Sequence, residues 1–405
     1  MSNTRVVITG VGAFSACGAG AETLWQAVRD GVTGMKPKSF ERLPDQKVMH
    51  AAPISNEMLQ EHAVHVRPRM QDRVTKFALI AAEEAMTQSG LKDAGLGDDV
   101  GVIVGSGFGG AEALDEGYWA HYHSGGGRMD PLSIPKIMTN AAASWISMTY
   151  GATGPIYCNS TACSSASQSI GLAYQMVKAG MMRACITGGT EACVVAGVFR
   201  AWEVLRVLSP TLCRPFSRDR NGMLLGEGAG ILVIETLESA TARGANILGE
   251  IVGYGTTSDA GDLLRPDPAG AAASMNKAIK DAGIDPAQIG YVNAHGTATV
   301  ANDVSETEAM RRVFGNDFEA TAVSSTKPVH GHALGAAGAL EAVVSIAALR
   351  EQLAPPNINF SEEDPKVGFV PVTGTARPIS TSYSLSNSFA FGGINASLIF
   401  GHPPA

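Results

Sequence analysis

Pro155-Ile156-Tyr157-Cys158-Asn159-Ser160-Thr161-Ala162-Cys163-Ser164-Ser165-Ala166-Ser167 changes its period halfway along. Pro155–Cys158 reads as a strand. Beyond Ser167, Ile170, Tyr174 and Val177 fall on one helical face, and Gly180 is a C-terminal stop. A strand that passes through a run of small residues into a helix is the joint of an α/β fold. It places Cys163 at or near a helix N-terminus, where unpaired N–H groups and the helix dipole favour a thiolate. The small neighbours leave room for a substrate. A buried structural cysteine explains this segment equally well when it is taken alone.

The same alternation extends in both directions. Short β-branched runs recur at Arg5–Thr9, Val100–Val104, Ala184–Thr187, Gly230–Ile234, Glu250–Tyr254 and Ala396–Phe400. Helical patterns at Val74–Ser89 and Ser167–Ala179 lie between them. Strands alternating with helices predict an α/β fold with largely buried sheets. The best seam is Ala240–Ile247, where one strand and helix end before the next strand. No internal repeat is evident from the residues.

The composition narrows the class. Of 405 residues, 45% are hydrophobic and 47 are glycine, enough apolar surface for a large core rather than disorder. A net charge of −8 argues against a broad nucleic-acid surface. Arg67-Pro68-Arg69-Met70-Gln71-Asp72-Arg73 is nonetheless locally basic, and reads either as a solvated helix start or as a docking patch for an acidic partner. No signal peptide and no long apolar span is seen. The six cysteines include no Cys-x-x-Cys pair, so a reducing, cytoplasmic location is expected.

Three further segments can carry chemistry. Asn293-Ala294-His295-Gly296-Thr297-Ala298-Thr299 places a histidine at the end of a strand, Gly290–Val292. Lys327-Pro328-Val329-His330-Gly331-His332 opens an Ala/Gly-rich helix, Ala336–Ala348, that must pack closely against something. Ser386 to Asn395 reads as a Gly/Asn turn before the last strand, and its N–H groups could form an anion hole. Each histidine alone is more often structural than catalytic. A metal hydrolase using His295, His330 and His332 is one rival, because His-x-His spacing can ligate zinc. A nucleotide-binding dehydrogenase, suggested by Gly10-Val11-Gly12, is another, although Ser15 stands where a third glycine belongs.

In this order and spacing, these segments resemble the condensing enzymes of the β-ketoacyl-acyl-carrier-protein synthase type. The likeness runs from Val6-Val7-Ile8-Thr9-Gly10 to Leu398-Ile399-Phe400 and includes Arg214-Pro215-Phe216-Ser217-Arg218-Asp219 and Leu225-Gly226-Glu227-Gly228. It implies the thiolase fold, with duplicated halves, residues 1–245 and 246–405, in a five-layer α-β-α-β-α sandwich. It implies Cys163 as the nucleophile, His295 and His332 as the pair acting on a malonyl thioester, and the N–H groups of Cys163 and Phe391 as the oxyanion hole. Lys327 and Glu306 become a supporting charged pair, and Thr297 and Thr299 hold the phosphopantetheine arm. Asn293, Glu341, Ser386 and Asn387 become a possible structural monovalent-cation group. Arg67, Arg69 and Arg206 fall where the family docks an acidic carrier protein. The partners implied are malonyl- and acyl-carrier protein, with a homodimer usual. No cofactor is implied beyond the phosphopantetheine that arrives on the carrier.

Departures from the common pattern resemble the nodulation-type and other specialised synthases. His330 replaces a threonine, Ala390 a glycine and Ile394 a threonine, and Trp202 stands where a smaller aromatic often lines the acyl tunnel. Ala390 should stiffen the Phe391 turn, because a Cβ narrows the allowed backbone space. Trp202, with Val198 and Cys193, is expected to shape the acyl pocket. A synthase-like partner or chain-length subunit is the same-fold rival. Such partners usually lack the cysteine that is present here.

Overall fold

The computed structural model describes residues 4–123, 125–126 and 129–404. One continuous sheet runs through ten strands in line, with a short eleventh, Gly18–Ala19, paired to the first in chain order. The first half contributes β1 (Val6–Ser15), β2 (Val100–Gly105), β3 (Ile156–Tyr157), β4 (Ala184–Glu191) and β5 (Gly228–Thr236). The second contributes β6 (Gly249–Ser258), β7 (Ile289–Asn293), β8 (Ala322–Ser324), β9 (Tyr383–Ala390) and β10 (Ile394–Gly401). The spatial order is β8-β7-β9-β10-β6-β1-β5-β4-β2-β3.

Counted outward from the β1–β6 junction, the halves are the same. Each has two antiparallel pairings followed by two parallel ones. Parallel strands, adjacent or not, are joined by helical crossovers. In the first half these are α1 (Arg73–Ser89), α2 (Ala141–Tyr150) and α3 (Ser165–Lys178). In the second they are α4 (Pro268–Ala282), α5 (Val300–Phe314) and α6 (Ala337–Glu351). The duplication is therefore a property of topology, and the residues do not announce it.

The layers follow from what each helix buries. Helices α3 and α6 pack on each other between the two half-sheets and touch strands of both. Their side chains join one central apolar cluster. Helix α6 is buried all round, as its Ala/Gly composition requires. Helices α1 and α2 cover the outer face of the first half, and α4 and α5 that of the second, each over its own cluster. The result is the α-β-α-β-α sandwich of the thiolase fold.

Two expectations change at this level. Ser386–Ala390 belongs to strand β9, so the turn shrinks to Phe391–Gly393. Gly392 and Gly393 take φ of +86° and +67°, which an L-residue rarely adopts. Gly10 and Gly12 lie inside β1, with no phosphate-binding turn. A Cβ on either would come within 2.1 Å of the carbonyl oxygen of Ala85 or Ala81 on α1, so these glycines let helix and strand approach. No helix among the described residues is long and apolar enough to cross a membrane.

Candidate active site

The two halves present equivalent connections at one place. Cys163 sits in the link from β3 to α3, and His332 in the matching link from β8 to α6. His295 follows β7, and Phe391 forms the β9–β10 turn. Cys163 lies on a short 3-10 turn, Ala162–Ser164, that runs directly into α3. The preceding Ala162 takes φ of +50°, a strained conformation of the kind that clusters at functional sites.

Serines hold that strained link. Ser164 Oγ lies 3.0 Å from the carbonyl oxygen of Ser388 and 2.7 Å from that of Ile394, one on each side of the Phe391 turn. Ser165 Oγ accepts from the N–H of Thr161 and lies 2.6 Å from the carbonyl oxygen of Ala162. The serine run therefore ties the Cys163 link to the Phe391 turn and does more than leave space. The composition of the run drew attention to Cys163, but nothing in it distinguished Ser164.

The reactive atoms converge. His332 Nε2 lies 3.1 Å from Cys163 Sγ. The rings of His295 and His332 stand edge to face, 5.4 Å apart at 82°. The sulfur and one ring nitrogen from each histidine lie within 4.8 Å of one another, all buried. His330 is not part of this group. Its Nδ1 faces the Gly331 carbonyl at 2.8 Å and so carries the proton, and its Nε2 accepts from Thr326 Oγ1 at 2.8 Å. The His295–His330–His332 ligand set is thus excluded by direction.

The charged support differs from the expected pair. Lys327 pairs with Glu341 of α6, not with Glu306. Its Nζ also donates to the His295 carbonyl at 2.5 Å and to His295 Nδ1 at 3.4 Å. Glu306, on α5, instead accepts the N–H groups of His295 and Gly296, each at 2.8 Å, and so caps that turn. The ammonium reaches the carboxylate that has no backbone donors of its own.

Burial dominates the protonation states. It holds both His295 and His332 well below the usual imidazole range, with Lys327 adding to the effect. It pushes the Cys163 thiol up to about 12, against the pull of Lys327. The helix terminus alone favoured a thiolate; buried as it is, the resting group is a thiol beside a neutral imidazole. Burial likewise raises Glu306 and Glu341 to about 7.

A cleft leads outward from Cys163, His295 and His332 past Thr297, Thr299 and Phe391. The hydroxyls of Thr297 and Thr299 are 2.9 Å apart, and Thr299 also caps α5. Trp202 lines the cleft and stacks on Phe391, with ring centroids 5.8 Å apart and 20° between planes. Cys193 and Val198 do not line it. Cys193 is fully buried behind, and Val198 lines a separate apolar pocket with Tyr118 and Tyr122. Arg67, Arg69 and Arg206 are exposed, whereas Arg73 is buried against Glu227 at 3.3 Å.

The polar group near Glu341 is partly as expected. Both amide atoms of Asn293, Glu341 Oε2 and Ser386 Oγ are buried without a hydrogen-bond partner. Asn387 is committed elsewhere: its Oδ1 accepts from Ser397 at 2.8 Å and its Nδ2 meets Met275 sulfur. One residue escaped the sequence reading altogether. Glu191, at the end of β4, accepts the N–H groups of Gly107, Phe108 and Gly335 and so ties together loops of both halves beside Cys163. A lone carboxylate closing an apolar strand was its only signal.

Comparison with known proteins agrees with this architecture. Residues 3–240 match the β-ketoacyl synthase N-terminal domain and residues 248–361 the C-terminal domain. The chain is 40% identical over 398 residues to nodulation protein E of Rhizobium sp. (strain N33), covering 98% of each chain. It is 39% identical over 406 residues to 3-oxoacyl-[acyl-carrier-protein] synthase 2 of Staphylococcus aureus (strain COL), again covering 98% of each. The solved ishigamide ketosynthase/chain length factor superposes with a TM-score of 0.94 at 32% identity, covering 99% of this chain and 100% of that one. The chain belongs to the β-ketoacyl synthase family.

Proposed function

We propose that the chain is a β-ketoacyl-acyl-carrier-protein synthase that joins an acyl group carried on Cys163 to a malonyl unit with loss of carbon dioxide. The observation that carries this reading is the convergence of Cys163 Sγ with ring nitrogens of His295 and His332 within 4.8 Å. In the first half-reaction the Cys163 sulfur attacks the acyl thioester carbonyl as the thiol gives up its proton. The N–H groups of Cys163 and Phe391 are assigned to the oxyanion. Collapse breaks the bond to the carrier's pantetheine sulfur, which leaves with that proton.

In the second half-reaction the malonyl carboxylate leaves as carbon dioxide, and its bonding pair becomes an enolate. Lys327 donates to Nδ1 of His295, so the neutral ring carries its proton on Nε2 and can donate to the enolate oxygen. His332 Nε2 is assigned the second donor. The enolate carbon then attacks the acyl-Cys163 carbonyl, a carbon–carbon bond forms, and the carbon–sulfur bond breaks. The product is a β-ketoacyl thioester two carbons longer, and the cysteine regains a proton.

Thr297 and Thr299 are assigned to the phosphopantetheine arm, and the exposed Arg67, Arg69 and Arg206 to the acidic carrier protein. No further cofactor is required. Asn293, Glu341 and Ser386 suit a monovalent cation, because their buried oxygens, one of them from a carboxylate, have no hydrogen-bond partner. Six free thiols suit a reducing compartment, which favours the cytoplasm.

Pairing with a synthase-like partner chain, in place of a homodimer, is the second reading. It is favoured by the likeness to a ketosynthase/chain length factor structure. In such a pair this chain would be the condensing member, because it keeps Cys163. Intact-mass measurement of wild type and Cys163→Ala with acyl- and malonyl-carrier protein tests both. An adduct on wild type only, followed by a carrier-bound keto product, is expected. Malonyl decarboxylation with no adduct for any chain length would make this the partner subunit.

A further inference from the structure

Cys163, His295 and His332 form a ligand set that resembles a metal trap. A thiol and two imidazoles, preassembled and buried, are the donors that soft divalent ions prefer. The 3.1 Å between His332 Nε2 and Cys163 Sγ is near the roughly 3.5 Å separating a nitrogen and a sulfur on one tetrahedral zinc, from bonds of about 2.0 and 2.3 Å. A metal there would block the nucleophile and both donors together.

One contact opposes this. A histidine that ligates through Nε2 must carry its proton on Nδ1 and donate it to an acceptor. His295 Nδ1 faces the Lys327 ammonium, itself a donor, at 3.4 Å. Moving the ring proton to Nδ1 would set two donors against each other. The ammonium cannot turn away, because Glu341 and the His295 carbonyl also hold it, and Lys327 and Glu341 are both fully buried. The fixed positive charge also repels a second cation.

We propose that Lys327 excludes transition metals from the active site by fixing the ring proton of His295 on Nε2, the nitrogen that Lys327 leaves for ligation. The Cys163–His332 pair alone then offers two ligands, too few for a stable site. The inference uses the same side chains as the proposed reaction but not the reaction itself. Its readout is metal binding, so its failure is distinguishable from failure of the condensing function.

The test is a titration of the full, chelator-stripped chain with cobalt(II), followed by the thiolate-to-cobalt charge-transfer band and by metal retained after desalting. Wild type should show no band. Lys327→Met should bind cobalt about 10–100-fold more tightly, with a band that disappears when Cys163→Ala is added. If Lys327→Met does not fold by circular dichroism, Lys327→Gln serves instead, since it removes the ammonium while keeping a polar partner for Glu341 and the His295 carbonyl, and it should shift affinity the same way. A wild type that binds cobalt through Cys163 overturns the proposal whatever the variants do. A folded variant that binds no more tightly than wild type also overturns it.

Discussion

Lys327 Nζ lies 3.4 Å from Nδ1 of His295 and donates to it, which fixes the proton of that neutral ring on Nε2. The contact ties a buried ion pair to the chemistry of the cleft. His295 is thereby a donor in the resting state, whereas His332 faces the sulfur.

A split between half-reactions follows. In His295→Ala the enolate loses one of its two donors, so malonyl decarboxylation and condensation should fall about 10²–10³-fold. Transfer of the acyl group to Cys163 does not use that donor and should persist. Intact mass separates the steps: an acyl adduct should accumulate without elongated product. Loss of the adduct as well would place His295 in the first step too.

The thiol should behave as its burial dictates. Its pKa is raised to about 12, so the thiolate is the minor form at neutral pH and grows tenfold per pH unit up to that value. Alkylation of Cys163 by iodoacetamide, read by peptide mass, should rise about 100-fold between pH 7 and pH 9. A plateau within that window would show that the α3 terminus and Lys327 outweigh desolvation.

Much of this was legible in the sequence, for identifiable reasons. The strand-to-helix change at Pro155–Ser167 located Cys163, and the glycine- and hydroxyl-flanked histidines located His295 and His332. What stayed hidden depends on direction in space. Nothing in the spacing chooses Glu341 over Glu306 for Lys327, since both carboxylates lie on helices that approach it. His330 and His332 stand two apart, and only the fold turns one toward Thr326 and the other toward Cys163. Val198 and Trp202 stand four apart on the helix Ala196–Val204 and so share a face, yet only Trp202 reaches the cleft, while Val198 lines the neighbouring apolar pocket and Cys193, before that helix, is fully buried.

Ser164 should prove a stability residue with a catalytic consequence. Its single hydroxyl proton is shared between the carbonyls of Ser388 and Ile394, the nearer being Ile394 at 2.7 Å, and Ser164→Ala leaves both facing a buried gap. The cost should be about 1–3 kcal/mol in urea unfolding. The Cys163 and Phe391 N–H groups would lose their common anchor, so acyl transfer should slow even where the variant is fully folded. A folded variant with unchanged transfer would show that other contacts set the oxyanion geometry.

Trp202 should govern which acyl chains enter. Its ring lies nearly parallel to Phe391 across the cleft that leads to Cys163, and an aromatic pair of this kind contributes about 0.5–1.5 kcal/mol beyond its buried area. Any chain that needs the Phe391 ring displaced must first break that stack. Trp202→Ala removes both the stack and the wall. A panel of acyl-carrier proteins should therefore shift toward bulkier or longer chains, with their KM falling roughly 2–10-fold, the range those energies span. The short-chain rate should change little, because Cys163 and the histidines are untouched. Equal loss across the panel would instead assign Trp202 to holding the Phe391 turn, with no part in selection.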